Sequence, residues 1–218
     1  MDGTTPLPDG PGAAPGRPRE DAAWRTLQAA TAGLHAQVES VPLMAALMSP
    51  AVDEGIVAEV LQALLRIHAG WEQANAARLQ ALDWPWRPRA EGLRYDLMAL
   101  GVRPDTGQVP GPVAACEAEA WGMLYVVEGS ALGGQLIARH LRAHLPGVGA
   151  AVRHFESAEG PGWPAFRAAL EQALPDAGRR ARAVAGAQAM FTHFHGQLFH
   201  GQLARNSVVR DDAGTVPA

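Results

Sequence analysis

The sequence predicts an all-α protein folded as a single multi-helix domain. Three observations carry this. Apolar residues recur at alternating spacings of three and four in one segment after another, which marks one face of a helix. No stretch of useful length alternates apolar and polar residues as a half-buried strand does. Proline and glycine, 17 and 24 of them, supply the punctuation between the apolar segments. With 218 residues and 48% hydrophobic content, the chain can bury one sizeable core. No repeat period is visible, and about seven or eight helices are expected.

Taken in order, the first stripe is Trp24, Leu27, Thr31, Leu34 and Val38. It marks a helix starting near Arg19 to Asp21 and ending near Ser40, with Pro42 as the stop. "LMAALM" follows as a short helix or turn, and "SPAVDEG" opens the next element. Ile56, Val60, Leu64, Ile67, Trp71 and Leu79 then mark a long helix to about Leu82. "DWPWRPR" is a loop, and "AEGLRYDLMALG" is a short helix closed by Gly101. The Pro/Gly loop "VRPDTGQVPGP" leads to a helical region from about Val113 to Leu145, which glycines interrupt. "PGVGAAVRHFESAEGPG" reads as a loop, and "WPAFRAALEQAL" as a helix with Pro in its first turn. A last long helix runs from about Ala177 to Asn206.

The domain is thus expected over 19–206, between a Pro/Gly-rich tail at 1–18 and a C-terminal tail at 207–218. The first tail holds no apolar run and does not read as a signal peptide. The clean apolar run "WGMLYVV" is far too short to cross a membrane. A net charge of −4, with 18% charged residues and no dense basic patch, argues against a nucleic-acid partner. All 18 basic residues are arginines, so any anionic ligand must be met by Arg, His, hydroxyls or backbone N–H. The single Cys116 allows neither an internal disulfide nor a cysteine metal cluster. A cytoplasmic setting is expected.

Two features ask for a function. Gly129, Gly133 and Gly134 fall inside "LYVVEGSALGGQLIARHL", where each costs a helix interior roughly 1 kcal/mol relative to Ala. They would serve either close packing against a neighbouring helix or a flat ligand lying on exposed backbone. Ser130 adds a hydroxyl at the same place. In "LQAATAGLHAQVES", His35 and Glu39 stand four apart and share a face. An imidazole that binds a metal usually gives its other ring nitrogen to an acceptor, as Glu39 could be; an ordinary exposed His–Glu pair is the other reading. His193, His195 and His200 on the last helix, and His140 with His144, lack the acidic partners a metal site wants.

These segments together resemble the haem oxygenases. "LQAATAGLHAQVES" is similar to their axial-histidine helix. "YVVEGSALGGQLIARHL" is similar to their distal helix in the form found in the bacterial subfamily associated with bacteriophytochromes. "LRYDLMALG", "HFESAEGPGWPAF" and "MFTHFHGQL" match that subfamily in order, and the likeness spans roughly residues 20 to 205. The resemblance implies haem, substrate and cofactor at once, held between the first helix and a glycine-kinked distal helix. It places the axial iron ligand on His35, its supporting carboxylate on Glu39, and the distal surface on Gly129, Ser130, Gly133 and Gly134. Thr31, Tyr125, Arg139 and Arg167 complete the implied haem-binding set, with the arginines and Tyr125 toward the propionates. Many family members have Asp where this chain has Ser130, which leaves the group that orders distal water open; Arg94 and Glu128 are further candidates.

The implied reaction is cleavage of haem to biliverdin, CO and Fe(II). It uses O2 and electrons from an external donor such as a ferredoxin or a reductase, and its biliverdin would go to a bacteriophytochrome. The alternative is a non-catalytic haem carrier or sensor of the same fold.

Overall fold

The computed structural model describes residues 22–105, 107, 109–156 and 160–213, with side chains as far as His200. The expected tail at 1–18 lies outside these residues, as do 214–218 and the start proposed for the first helix. The described residues form helices α1 (Ala23–Glu39), α2 (Pro42–Leu47), α3 (Glu54–Gln80), α4 (Ala90–Ala99), α5 (Glu117–His144), α6 (Arg153–Glu156), α7 (Gly162–Ala173) and α8 (Ala177–Ala213). A 3-10 turn, Pro146–Ala151, joins α5 to α6. No strand occurs among the described residues.

α8 is the spine of the molecule. α5, α1 and α3 all pack along it, while α1 and α5 touch each other little. The apolar stripes read from the sequence are the ones that bury: Leu27 of α1, Val60, Ile67 and Trp71 of α3, and Leu124 and Val127 of α5 lie in one core with Ala183, Ala187 and Met190 of α8. The α5–α8 crossing is close. A Cβ at Gly122 would run into the Ala183 backbone, and one at Gly186 into that of Glu119.

The helix ends are held by different means. Asp53 caps α3, its Oδ1 accepting from the Ile56 amide at 2.8 Å. α4 closes as expected: Gly101 takes φ +71, and the Gly101 and Val102 amides donate to the Met98 and Leu97 carbonyls at 2.9 and 3.0 Å. α1 and α4 lack a local side-chain cap. Glu171 of α7 instead accepts from the Ala23 amide at 2.9 Å, and Glu72 of α3 accepts from the Arg89 and Ala90 amides at 2.5 and 3.2 Å. Asn75 pins the α4–α5 connection to α3, donating to Pro112 O and accepting from the Ala114 amide, each at 2.8 Å.

The boundaries differ from the sequence reading in three places. α5 starts at Glu117, leaving Val113 exposed, and it continues as helix through the glycines to His144. The segment read as a loop after α5 holds the 3-10 turn and α6. α8 runs on to Ala213, past the expected end at Asn206.

Candidate functional site

α1 presents His35 and Glu39 to the outside. Their side chains are 57% and 69% exposed, with His35 Nδ1 3.5 Å from Glu39 Oε2. The ring stands edge-on to Phe191 of α8, centroids 5.6 Å apart. Nδ1 therefore faces the carboxylate and Nε2 is left to meet something else, as an axial ligand requires.

The glycines of α5 divide by role. Gly133 has nothing within 4 Å of the place a Cβ would take. At Gly129 a Cβ would rest 3.6 Å from the Trp163 ring of α7. Gly134 is buried, and a Cβ there would come within 2.9 Å of the Phe155 carbonyl. The missing side chain there allows the close packing of α6. Ser130 donates to Val127 O at 2.7 Å, so in this structure its hydroxyl serves its own helix.

The remaining expected residues are partly brought together. Tyr125 lies near Thr31 across the α1–α5 gap; burial pushes its phenol up, and the nearby Thr31 hydroxyl offsets part of the rise. Tyr125 also meets the Trp163 ring at 5.7 Å. Arg167 lies over Trp24 of α1 with Cζ 4.1 Å from the ring, and its Nε is buried with no partner among the described residues. Arg139 is exposed on α5, in contact with none of the others. Arg94 lies close enough to Glu72 to favour its charged form. Glu128 receives the Trp84 indole at 3.3 Å and the Arg89 guanidinium at 3.5 Å. His140 contacts Ser49 O and stacks on His144, as ordinary surface histidines do.

One cluster escaped the sequence reading. "HAGWE" repeats the His-x-x-x-Glu spacing of "HAQVE" two helices later, but His68 is 1% exposed where His35 is open. Around it lie Glu72, His154 and His193, and Asp96 accepts from the His154 amide. Burial holds His68 well below the usual imidazole value, helped by nearby His154, Arg89 and His193. It takes His154 down to about 3, with Arg89 adding to the effect. It also lowers His193, with the nearby Ile67 backbone acting the other way. The usable signal was the repeated spacing with His68 beside the core residues Ile67 and Trp71.

These shifts fix a pH dependence. Each ring is neutral in the fold but takes up a proton near 6.5 in the unfolded chain. Their contribution is whole above about pH 6.5 and is lost as pH falls toward the folded values, with a limiting slope of roughly 1.4 kcal/mol per pH unit per histidine. Burial raises Glu72 and Asp96, so these favour folding as pH drops below their raised values and offset part of the loss. Three rings outnumber two carboxyls, so the urea midpoint should fall between pH 7 and pH 5.

A curated protein named "Heme oxygenase" from Xanthomonas campestris pv. campestris (strain 8004) is 48% identical over 158 residues, covering 70% of this chain and 94% of its own length. The chain belongs to the haem oxygenase family. The family model described as "Heme oxygenase" matches residues 109–200, which contain the glycine stretch and the Phe191 turn of α8. Two solved structures share the fold. A haem oxygenase from Neisseria meningitidis, studied with NO and CO bound, has a TM-score of 0.67 at 24% identity, over 83% of this chain and 92% of that one. One from Leptospira interrogans has a TM-score of 0.65 at 17% identity, over 82% and 99%. No described helix is long and apolar enough to cross a membrane.

Proposed function

We propose that the protein cleaves haem to biliverdin, CO and Fe(II), with His35 as the axial ligand and the Gly129–Gly133 face of α5 over the opposite side. The observation that carries this is the state of His35: an exposed imidazole whose Nδ1 faces Glu39 while Nε2 has no partner among the described residues. The residues present fit the group. Family membership supports an oxygenase, and the open backbone at Gly133 supports a planar ligand approaching α5.

Haem supplies the redox chemistry when bound; the protein supplies orientation and the pocket. Glu39 holds the His35 tautomer. Gly133 keeps side chains away from the ligand's face. Tyr125 and Thr31 lie close across the α1–α5 gap. Arg167, braced on Trp24 and with no partner for its Nε among the described residues, is the best-placed cation for a propionate, and Arg139 is a second. O2 and electrons come from outside, the latter from a donor such as a ferredoxin or reductase. The subfamily likeness supports a bacteriophytochrome as the destination of the biliverdin and a cytoplasmic setting.

Hemin titration followed by a reductant in air tests the reading. A Soret band that decays as broad red absorbance grows is expected. A lasting ferrous-oxy spectrum would make the protein a carrier, and no Soret band would remove haem altogether. Gly133→Ala gives a second test. A Cβ there meets nothing, so the apoprotein should gain about 0.5–1 kcal/mol from helix propensity, as urea unfolding would show. Turnover of bound haem should nevertheless fall, because the methyl group projects into the ligand's space.

A further inference from the structure

A crevice of about 490 Å³ lies where the segment before α4 meets α6, a size common among small-molecule sites. Arg87 and Arg89 line it from the first element and Arg153 and His154 from the second. Gly92 of α4 adds bare backbone to the wall, and a Cβ there would meet nothing within 4 Å. Three of the chain's 18 basic residues thus share one hollow.

Two of the three guanidiniums are braced. Arg89 reaches Glu128 at 3.5 Å and is 12% exposed. Arg153 lies over Tyr95 with Cζ 4.2 Å from the ring centroid. Such bracing reduces the side-chain entropy lost when a ligand is gripped. The acids around them are committed elsewhere. Glu156, the carboxylate on the crevice wall, pairs with Arg142 of α5. Glu128 also receives the Trp84 indole. Glu72 accepts from the Arg89 and Ala90 amides and Asp96 from the His154 amide, and burial holds both carboxyls above their usual range. The positive field reaches the neighbouring rings: Arg89 pushes His154 and His68 down beyond what burial alone does.

We propose that this crevice binds a compact phosphate-type anion through Arg87, Arg89 and Arg153. The site is distinct from the haem reading and does not rest on it. The walls select the class of ligand. A phosphoryl group brings about two negative charges and three acceptor oxygens, so it can meet guanidiniums from two walls at once. A carboxylate offers two oxygens in one plane. Apart from Pro88 and Gly92 the lining side chains are polar, and Arg153 covers the Tyr95 ring, so the crevice offers no apolar face to a nucleobase or a tetrapyrrole. An occupant would join α6 to the segment before α4, and binding to the folded chain alone stabilises it.

Calorimetric titration of the full chain, without haem, by pyrophosphate in about 0.15 M chloride tests this. A dissociation constant below about 1 mM is expected, together with a urea midpoint that rises with pyrophosphate concentration. Arg153→Gln and Arg87→Gln should each weaken binding by about 10-fold, and the two together should abolish it. Both side chains are exposed, so midpoints without pyrophosphate should stay at the wild-type value. Should Arg153→Gln fail to fold, Arg87→Gln still decides. Arg167→Gln should bind pyrophosphate as the wild type does. Absence of binding at millimolar pyrophosphate overturns the site. Binding that survives the double variant and is lost in Arg167→Gln overturns it too, by placing the anion beside Trp24. Citrate binding more tightly than pyrophosphate overturns the phosphate class. None of these outcomes depends on whether hemin binds.

Discussion

Replacing His35 with Ala should remove the imidazole signature from the hemin complex and lower turnover by at least about 100-fold, since loss of the ligand exceeds the effect of losing its supporting partner. The fold should survive. His35 is more than half exposed and touches only Glu39 and the edge of Phe191, so the urea midpoint should correspond to a change within about 0.5 kcal/mol. Imidazole added to the variant should restore a nitrogen-ligated spectrum. A variant that keeps the wild-type spectrum without added imidazole would remove His35 from the iron.

Gly122→Ala should do the opposite, damaging the fold before the site. Its new methyl group meets the Ala183 carbonyl of α8, and the reciprocal contact at Gly186 and Glu119 prevents the helices from shifting to relieve it. Backbone cannot turn aside as a side chain can. The propensity gain of at most about 1 kcal/mol is outweighed by overpacking of roughly 3 kcal/mol or more. Urea unfolding of Gly122→Ala beside Gly133→Ala gives the comparison: one glycine-to-alanine change on α5 should destabilise and the other stabilise. Equal effects would mean that α5 and α8 are not in close backbone contact.

That contrast shows where the sequence was legible. Helix stripes are local, so α1, α3 and α7 could be read from spacing, and the Gly101 closure from one residue. Glycine alone did not reveal its partner. Gly129, Gly133 and Gly134 drew notice because they cluster, yet the closest helix contact uses Gly122 and Gly186, which stand singly in apolar surroundings. Nothing local announces that Gly134 packs against Phe155. The caps supplied by Glu171 to α1 and by Glu72 to α4 join residues far apart in the chain, beyond the reach of any window of sequence. α6 was missed for a similar reason: the His154 amide is held by Asp96 Oδ2 at 2.8 Å, from another helix. His35 and His68 share one spacing and differ only in burial, which tertiary packing decides.

The reliance of α1 and α5 on a common support has a mechanical result. The two arms meet α8 separately and touch each other little, while α7 grips α1 at its Ala23 end through Glu171. Spreading the arms at the His35 end therefore breaks few contacts between them and leaves the spine intact. Opening there would admit or release a ligand at little cost to the fold.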